Sequence, residues 1–373
     1  MKDFFYSLII LGFCASCISP ANIDPTDPDF ILVVDGFITD QPGPHAIRIT
    51  RVARFAGVRQ GGEITLEDVD VRIIDDQGNV TVLAQQRFQA KSLFDENPPF
   101  CVWGIAFSER VTDYLTPSTF QGVVGRSYTL EITTEAGQVY RSNPQEILPT
   151  PSIESLQLQF VEIPNLSDFP GSGVDVLATW QDAPGPDFYF WQINGIYRIS
   201  TPDTGPPACC VYDPRDGLAD DCWIVERNIP GNTEALSDAR FNGQLQTEKV
   251  GFIEDDGLRF ASINVSTARQ YHVEVEQYRI SEEAYFFYER TNTLADIDGE
   301  IFDPPPLSIR GNIFNVENEE ELVIGFFGAF SVETAEVFVN RDMLPFVQRF
   351  TEPCGDCRIR AGAQTEIPEP YRF

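Results

Sequence analysis

Residues 128–133 read YTLEIT and residues 138–141 read QVYR, with the turn signal Ala136-Gly137 between them. Apolar and polar residues alternate in both runs, and a period of two places one class on each face of a strand. Two alternating runs joined by a short turn that contains glycine predict a β-hairpin. The hairpin makes β-structure the first hypothesis for the whole chain.

The same alternation recurs on both sides of this hairpin. Further strand-like runs lie at residues 31–38, 45–50, 69–74, 174–180, 188–194 and 270–277, and residues 322–327 have the apolar character of a central strand. Short strands separated by turn signals are typical of sandwiches. We therefore predict an all-β chain with two β-sandwich domains of the immunoglobulin or fibronectin-III type, with Trp180 in the second core.

Prolines at positions 144, 149 and 151 mark a linker between the two domains. We place the first sandwich at residues 31–149 and the second at residues 150–345, followed by a disulfide-bearing C-terminal tail at residues 346–373. By the period of two, His272 shares a polar face with two glutamates, and we expect it at the surface.

One short helix is expected in the second domain, at residues 282–295. Ser281 can cap its N-terminus, and the acidic residues that follow suit the positive end of the helix dipole. Aromatic residues then follow a helical spacing. We expect this helix to plug one end of the sandwich.

The N-terminus has the features of an export signal. An apolar run of about ten residues follows Lys2; this is too short to span a bilayer but fits a secretory signal. Ala15-Ser16-Cys17 resembles a bacterial lipobox. We predict a lipoprotein signal peptide at residues 1–17, ending at Cys17, which carries acyl chains such as palmitate, and a tether at residues 18–30. An ordinary secreted protein cut nearby is the alternative.

Composition argues against several classes of function. The 57 acidic and 26 basic residues give a net charge of −31, which disfavours nucleic-acid binding. Only two histidines are present, and neither a G-x-S-x-G nor an H-E-x-x-H motif occurs. We expect no enzyme activity, no cofactor and no metal. A two-carboxylate glycoside hydrolase is the enzyme alternative, and the acidic turns 213–221 and 296–300 are the calcium alternative.

Six cysteines follow the signal peptide, and an even number in an exported chain predicts disulfides. They are Cys101, Cys209, Cys210, Cys222, Cys354 and Cys357. We expect a bridge within the tail C-x-x-C, Cys354 to Cys357. Either cysteine of the vicinal pair could join Cys222, with the other reaching Cys101. A redox C-x-x-C and a four-cysteine zinc site are the alternatives.

Aromatic residues in loop-like segments are candidates for binding, because binding residues are concentrated on loops. On this basis Trp223, Phe302 and Phe314 form the predicted ligand or partner surface. Buried packing is the alternative for each of them.

These landmarks, in this order, resemble a family of Bacteroidota outer-membrane lipoproteins, the domain of unknown function 4249. The matching elements are Cys17, residues 32–39 (LVVDGFIT), 124–132 (VGRSYTLEI) and 280–285 (ISEEAY), Pro305-Pro306 leading to Gly311-Asn312-Ile313, Gly325-Phe-Phe327, and Cys354-Gly-Asp-Cys357.

The resemblance implies a place beside a SusC-like TonB-dependent receptor. It therefore implies a non-enzymatic lipoprotein of the outer membrane that faces the cell surface and acts as an accessory partner of an uptake barrel, by ligand capture or as a lid. It supplies no catalytic residues. The alternative is an independent surface adhesin or matrix-binding lipoprotein.

Overall fold

The computed structural model describes most of the chain. The described residues are 30–53, 64–89, 110–163, 171–200, 221–227, 229, 235–254, 271–295, 309–339, 357, 362–368 and 370. Within these ranges the chain forms twenty strands, one α-helix and one short 3-10 helix. The all-β prediction is confirmed. No helix in this part of the chain has the length and apolar character needed to cross a membrane.

The elements follow one another in this order. They are β1 (Phe30–Thr39), β2 (Ala46–Ala53), β3 (Ile64–Thr65), β4 (Asp70–Asp75), β5 (Val80–Val82), β6 (Ala84–Gln89), β7 (Arg110–Leu115), β8 (Ser127–Thr133), β9 (Val139–Ser142), β10 (Gln145–Glu146), β11 (Ile153–Ile163), β12 (Gly171–Gln181), β13 (Phe188–Ser200), β14 (Asp221–Glu226), β15 (Ala235–Ser237), the 3-10 helix (Asp238–Arg240), β16 (Leu245–Glu254), β17 (Tyr271–Ile280), α1 (Glu282–Ala295), β18 (Ile313–Asn315), β19 (Val323–Val339) and β20 (Ala363–Gln364).

The hairpin predicted from residues 128–141 is present as β8 and β9. The two strands are antiparallel, with Ile132 opposite Tyr140. Burial alternates along β8, and the apolar residues Leu130 and Ile132 lie on its buried face. The turn places Gly137 at φ +81°, a conformation that glycine adopts without strain.

The strands form one large sheet and two smaller ones. The large sheet has eleven strands in the order β20-β14-β13-β17-β19-β1-β2-β7-β6, with β15 beside β13 and β3 beside β2. A six-stranded sheet has the order β18-β9-β8-β4-β5, with β10 beside β8, and a three-stranded sheet has the order β11-β12-β16. β19 is a central strand, as its apolar sequence predicts.

Two cores are packed against the large sheet. One lies under the six-stranded sheet and includes Val34, Ile49 and Leu130. The other lies under the three-stranded sheet and surrounds Trp180, which is fully buried against Tyr189, Trp191 and Phe241. The prediction of two sandwich cores, with Trp180 in the second, is confirmed.

The two sandwiches share the large sheet, because distant segments pair within it. β1 lies parallel to β19, with Val34 opposite Gly325, and β18 pairs with β9. Late segments of the chain therefore complete sheets that begin in the predicted first domain. The connection between β12 and β13 crosses from the three-stranded sheet to the large one.

The helix lies at Glu282–Ala295, as predicted, and the Ser281 hydroxyl accepts a hydrogen bond from the Ala284 amide at 3.2 Å. Its position differs from the prediction. Tyr288 stacks on Phe190, and Phe287 stacks on Phe326, both on the large sheet. Phe326 belongs to the cluster of apolar residues between the helix and the sheet, whereas its neighbour Phe327 faces the first core. The helix therefore covers the outer face of the large sheet instead of plugging one end of a sandwich.

Candidate functional site

The outer face of the large sheet carries a polar groove next to the region covered by the helix. β13, β17 and β19 bring Asn194, Glu274 and Glu336 into one row, because Asn194 is opposite Glu274 and Glu274 is opposite Glu336. The groove has a volume of about 560 Å³. Its lining consists of these three residues with Ile196, Val225, Arg227, Gln364, Pro368 and Pro370.

Hydrogen bonds hold the polar floor of the groove in place. The Asn194 side-chain amide donates to Glu274 Oε1 at 2.9 Å, and Arg227 Nη1 lies 3.8 Å from the same oxygen. One step along β17, Glu276 accepts from the Tyr278 hydroxyl at 2.9 Å, and burial raises the pKa of this carboxyl group. The floor therefore offers fixed carboxylate acceptors with one guanidinium at the rim.

His272 lies on the face predicted for it, but its predicted surface exposure is wrong. The alternation places it with Glu274, yet only 1% of its surface is exposed. Its Nε2 lies 3.2 Å from Glu336 Oε2, and its ring packs against Phe338 at 4.9 Å. At His272 this face is covered by the β19 side chains Glu336 and Phe338, which a period of two cannot indicate.

The C-terminal tail forms one wall of the groove. β20 pairs with β14, placing Gln364 opposite Trp223, and the Val225 amide donates to the Gly362 carbonyl at 3.0 Å. A disulfide between Cys222 and Cys357 joins the tail to the same strand. Both cysteines are buried.

This disulfide corrects both local pairings expected from the sequence. Cys357 does not pair with Cys354 in the tail, and Cys222 does not pair with Cys209 or Cys210. Its two cysteines lie 135 positions apart, so the bridge joins two segments that only the folded sheet brings together. The remaining four candidates, Cys101, Cys209, Cys210 and Cys354, lie outside the described residues, as does the lipidation candidate Cys17.

The predicted aromatic surface is divided between two sheets. Trp223 is half-buried in β14, two positions from the groove-lining Val225 and so on the same strand face. Phe314 is half-buried in β18 of the six-stranded sheet and lines a separate cavity of about 120 Å³. Phe302 lies outside the described residues. Both described aromatics lie on strands, whereas the prediction placed them in loops.

A cluster of buried acids was missed by the sequence reasoning. Asp182, Asp187 and Asp238 are each 2% exposed, and one carboxylate oxygen from each lies within 4.8 Å of the other two. Burial raises the pKa of Asp187, and the nearby Arg279 guanidinium opposes that rise. Oxygen ligands at this spacing could hold a hard cation. The calcium alternatives considered from sequence, residues 296–300 and 213–221, lie outside the described part except for Asp221, which begins β14.

The acidic cluster left one weak signal in the sequence. Asp182 and Asp187 flank the short connection Ala183-Pro-Gly-Pro186, whereas Asp238 lies more than fifty positions away. Acidic residues beside a Pro-Gly turn are usually exposed to solvent, so nothing local distinguishes this pair from the acids of other turns in the chain.

Comparisons with known proteins identify a family. A family model described as "Domain of unknown function (DUF4249)" matches residues 18–336. A search of the curated proteins found no match. One solved structure, "Biofilm associated protein - B domain", is 9% identical, covering 85% of this chain and 88% of its own, with a TM-score of 0.16. A TM-score this low carries no argument about fold or function.

Proposed function

The chain belongs to the DUF4249 family, and from this premise we propose that it is a non-enzymatic lipoprotein of the outer membrane. It is anchored through Cys17, faces the cell surface, and is the accessory partner of a SusC-like TonB-dependent transporter. Its task is to capture a small polar ligand and deliver it to the barrel. The observation that carries this proposal is the polar groove on the outer face of the large sheet.

The groove has the properties of a preformed binding site. Its volume of about 560 Å³ lies in the range of small-molecule pockets, roughly 300–1,000 Å³. The side chains of its floor project from central strands, which position polar groups more rigidly than loops do. Glu274 and Glu336 accept hydrogen bonds, so we infer a ligand that presents hydroxyl or amino groups to them.

The placement of the two histidines argues against histidine-dependent catalysis in the groove. His45 and His272 are the two histidines of the chain, and their exposed fractions are 9% and 1%. Neither presents an accessible imidazole to a ligand in the groove. The inter-strand pair of glutamates instead resembles the polar contacts that orient a ligand in a binding pocket.

Purification from native outer membranes tests the partnership. The tagged protein is extracted in mild detergent, and the proteins that accompany it are identified and quantified. A TonB-dependent barrel in stoichiometric amount is the expected result. A lipoprotein recovered alone, under conditions that preserve other barrel complexes, would contradict the proposal and favour the adhesin alternative.

A matched pair of variants tests the groove. Glu336→Gln removes a carboxylate from the groove, whereas Glu333→Gln makes the same change on the opposite face of β19. We expect uptake of the barrel's ligand by whole cells to fall for Glu336→Gln alone, with barrel co-purification unchanged in both. Equal uptake in the two variants would remove the groove from the mechanism.

A further inference from the structure

The three buried aspartates come together at the connection between two sheets. Asp182 directly follows β12 of the three-stranded sheet, Asp187 directly precedes β13 of the large sheet, and Asp238 begins the 3-10 helix after β15. Main-chain hydrogen bonds fix this arrangement: the Asp238 amide donates to the Asp187 carbonyl at 3.0 Å, and the Asp182 amide donates to the Gln244 carbonyl at 3.1 Å.

The protein itself compensates only part of the negative charge. The two carboxylate oxygens of Asp182 accept hydrogen bonds from the Tyr189 hydroxyl at 2.6 Å and the Gly243 amide at 2.7 Å. Arg279 pairs with Asp187 Oδ1. Three carboxylates and one guanidinium leave a net charge of −2 in a buried site.

Two carboxylate oxygens in the cluster have no donor. Within the described residues, Asp187 Oδ2 and Asp238 Oδ2 are buried and have no hydrogen-bond partner. A buried carboxylate oxygen without a donor or cation is strongly unfavourable, because it loses the hydration it has in the unfolded chain. Arg279, whose Nε is also buried without a hydrogen-bond partner among the described residues, already lies beside Asp187. The orphaned Asp238 Oδ2 is therefore the second observation, separate from the proximity of the three acids, and it indicates that a further positive group belongs in the site.

We propose that Asp182, Asp187 and Asp238 bind one calcium ion. Ca²⁺ prefers oxygen ligands at about 2.3–2.6 Å, so ligands on opposite sides of the ion are about 4.6–5.2 Å apart. One carboxylate oxygen from each of the three residues lies within 4.8 Å of the other two, which is compatible with ligands around one such ion. The ion's charge of +2 also equals the uncompensated charge of the cluster. Water and main-chain carbonyls complete the shell, as is usual for Ca²⁺.

The position of the site gives the ion a structural role. It links the strand that enters the connection, β12, to the strand that leaves it, β13, and so fastens the three-stranded sheet to the large sheet. Arg279, which pairs with Asp187, also donates to the Pro149 carbonyl at 3.1 Å. Through Arg279 the cluster is therefore connected to the segment that joins the first sandwich to the second. This inference does not depend on the proposed transporter partnership.

Thermal unfolding of the full-length protein in EDTA and in excess CaCl₂ tests the proposal. Saturating calcium, about a hundredfold over the dissociation constant, should raise the Tm by on the order of 5 °C. Tb³⁺, which replaces Ca²⁺ in oxygen sites, should show luminescence excited through Tyr189, whose hydroxyl lies 2.6 Å from Asp182. No calcium response in the wild-type protein would overturn the inference.

Two aspartate variants locate the response. Asp238→Asn removes a charge from the cluster, and Asp113→Asn changes a buried, Arg48-paired aspartate on β7, far along the large sheet from the cluster. In EDTA, Asp238→Asn should unfold at the wild-type temperature or above it, because it relieves repulsion, and its calcium response should vanish. Asp113→Asn should lower the Tm in EDTA yet keep the full calcium response. A calcium response retained in Asp238→Asn would place the ion elsewhere and refute the site.

Discussion

Reducing the Cys222–Cys357 disulfide releases a cross-link that closes a long loop. The sequence separation of 135 residues sets the size of the effect in the chain-entropy description. With about 135 residues in the loop, the entropy removed from the unfolded chain corresponds to about 5 kcal/mol at 25 °C. Measured values for native disulfides are typically about 2–5 kcal/mol, so we expect a loss of free energy of unfolding in that range.

Urea denaturation of the oxidised and the reduced wild-type protein measures this loss. Both forms keep the two buried sulfur atoms, so the comparison leaves unchanged the packing that a Cys222→Ala or Cys357→Ala change would remove. The corresponding fall in Tm is on the order of 10 °C. We also expect faster amide hydrogen exchange in the tail strand of the reduced protein, because β20 pairs with the strand that carries Cys222.

Cys354→Ala provides the matched control in the same C-x-x-C motif. If Cys357 pairs with Cys222, this variant should keep the oxidised stability of the wild-type protein. Equal stability of the oxidised and reduced wild-type protein would refute the entropic reasoning. A large loss in Cys354→Ala, together with a mapped Cys354–Cys357 peptide, would refute the pairing itself.

Three further predictions concern the packing of the fold and its pH dependence. Gly325→Ala should lower the free energy of unfolding by about 3 kcal/mol, because φ is +112° and a Cβ would lie 1.8 Å from the Val34 carbonyl oxygen. Gly137→Ala, at φ +81° with open space around it, should lower it by only about 1 kcal/mol in the same urea experiment. Equal losses in the two variants would contradict the close approach of β1 and β19. Trp180→Ala should cost about 3–5 kcal/mol, and a urea-measured loss below about 1 kcal/mol would refute its place in the core. Burial lowers the pKa of His45 from 6.5, so the unfolded chain binds the proton more readily than the folded protein does. Stability should therefore fall as the pH drops through about 6.5, and His45→Gln should flatten this part of the curve of Tm against pH. An unchanged slope in the variant would contradict the prediction.

Much of the secondary structure could be predicted, because strand periodicity is a local property. The hairpin of residues 128–141, the helix of residues 282–295 and the central strand near Gly325 all lie where the pattern indicated. The polar face of β17 was also identified. The same pattern failed for the burial of His272, since alternation assigns a side chain to a face and does not reveal what covers that face.

The candidate site was less predictable, because its parts come from distant segments. The groove needs a row of residues from β13, β17 and β19 and a wall from the tail beyond residue 360. Trp223 was identified as a binding candidate and lies on the strand beside the groove, but Glu274 and Glu336 resembled the many other acids of the chain. Among 57 acidic residues, composition alone does not separate a site from a solvated surface.

The amino-acid sequence by itself determined the all-β class, the positions of most strands and the resemblance to the DUF4249 family, because these depend on short patterns and on ordered motifs. Only the tertiary structure decided that β1 lies beside β19, that Cys222 pairs with Cys357, and that Asp182, Asp187 and Asp238 meet. Those outcomes are set by which apolar faces bury one another across long separations. A period of two determines which side chains share a face, but the folded sheet alone determines what covers that face and which residues become neighbours.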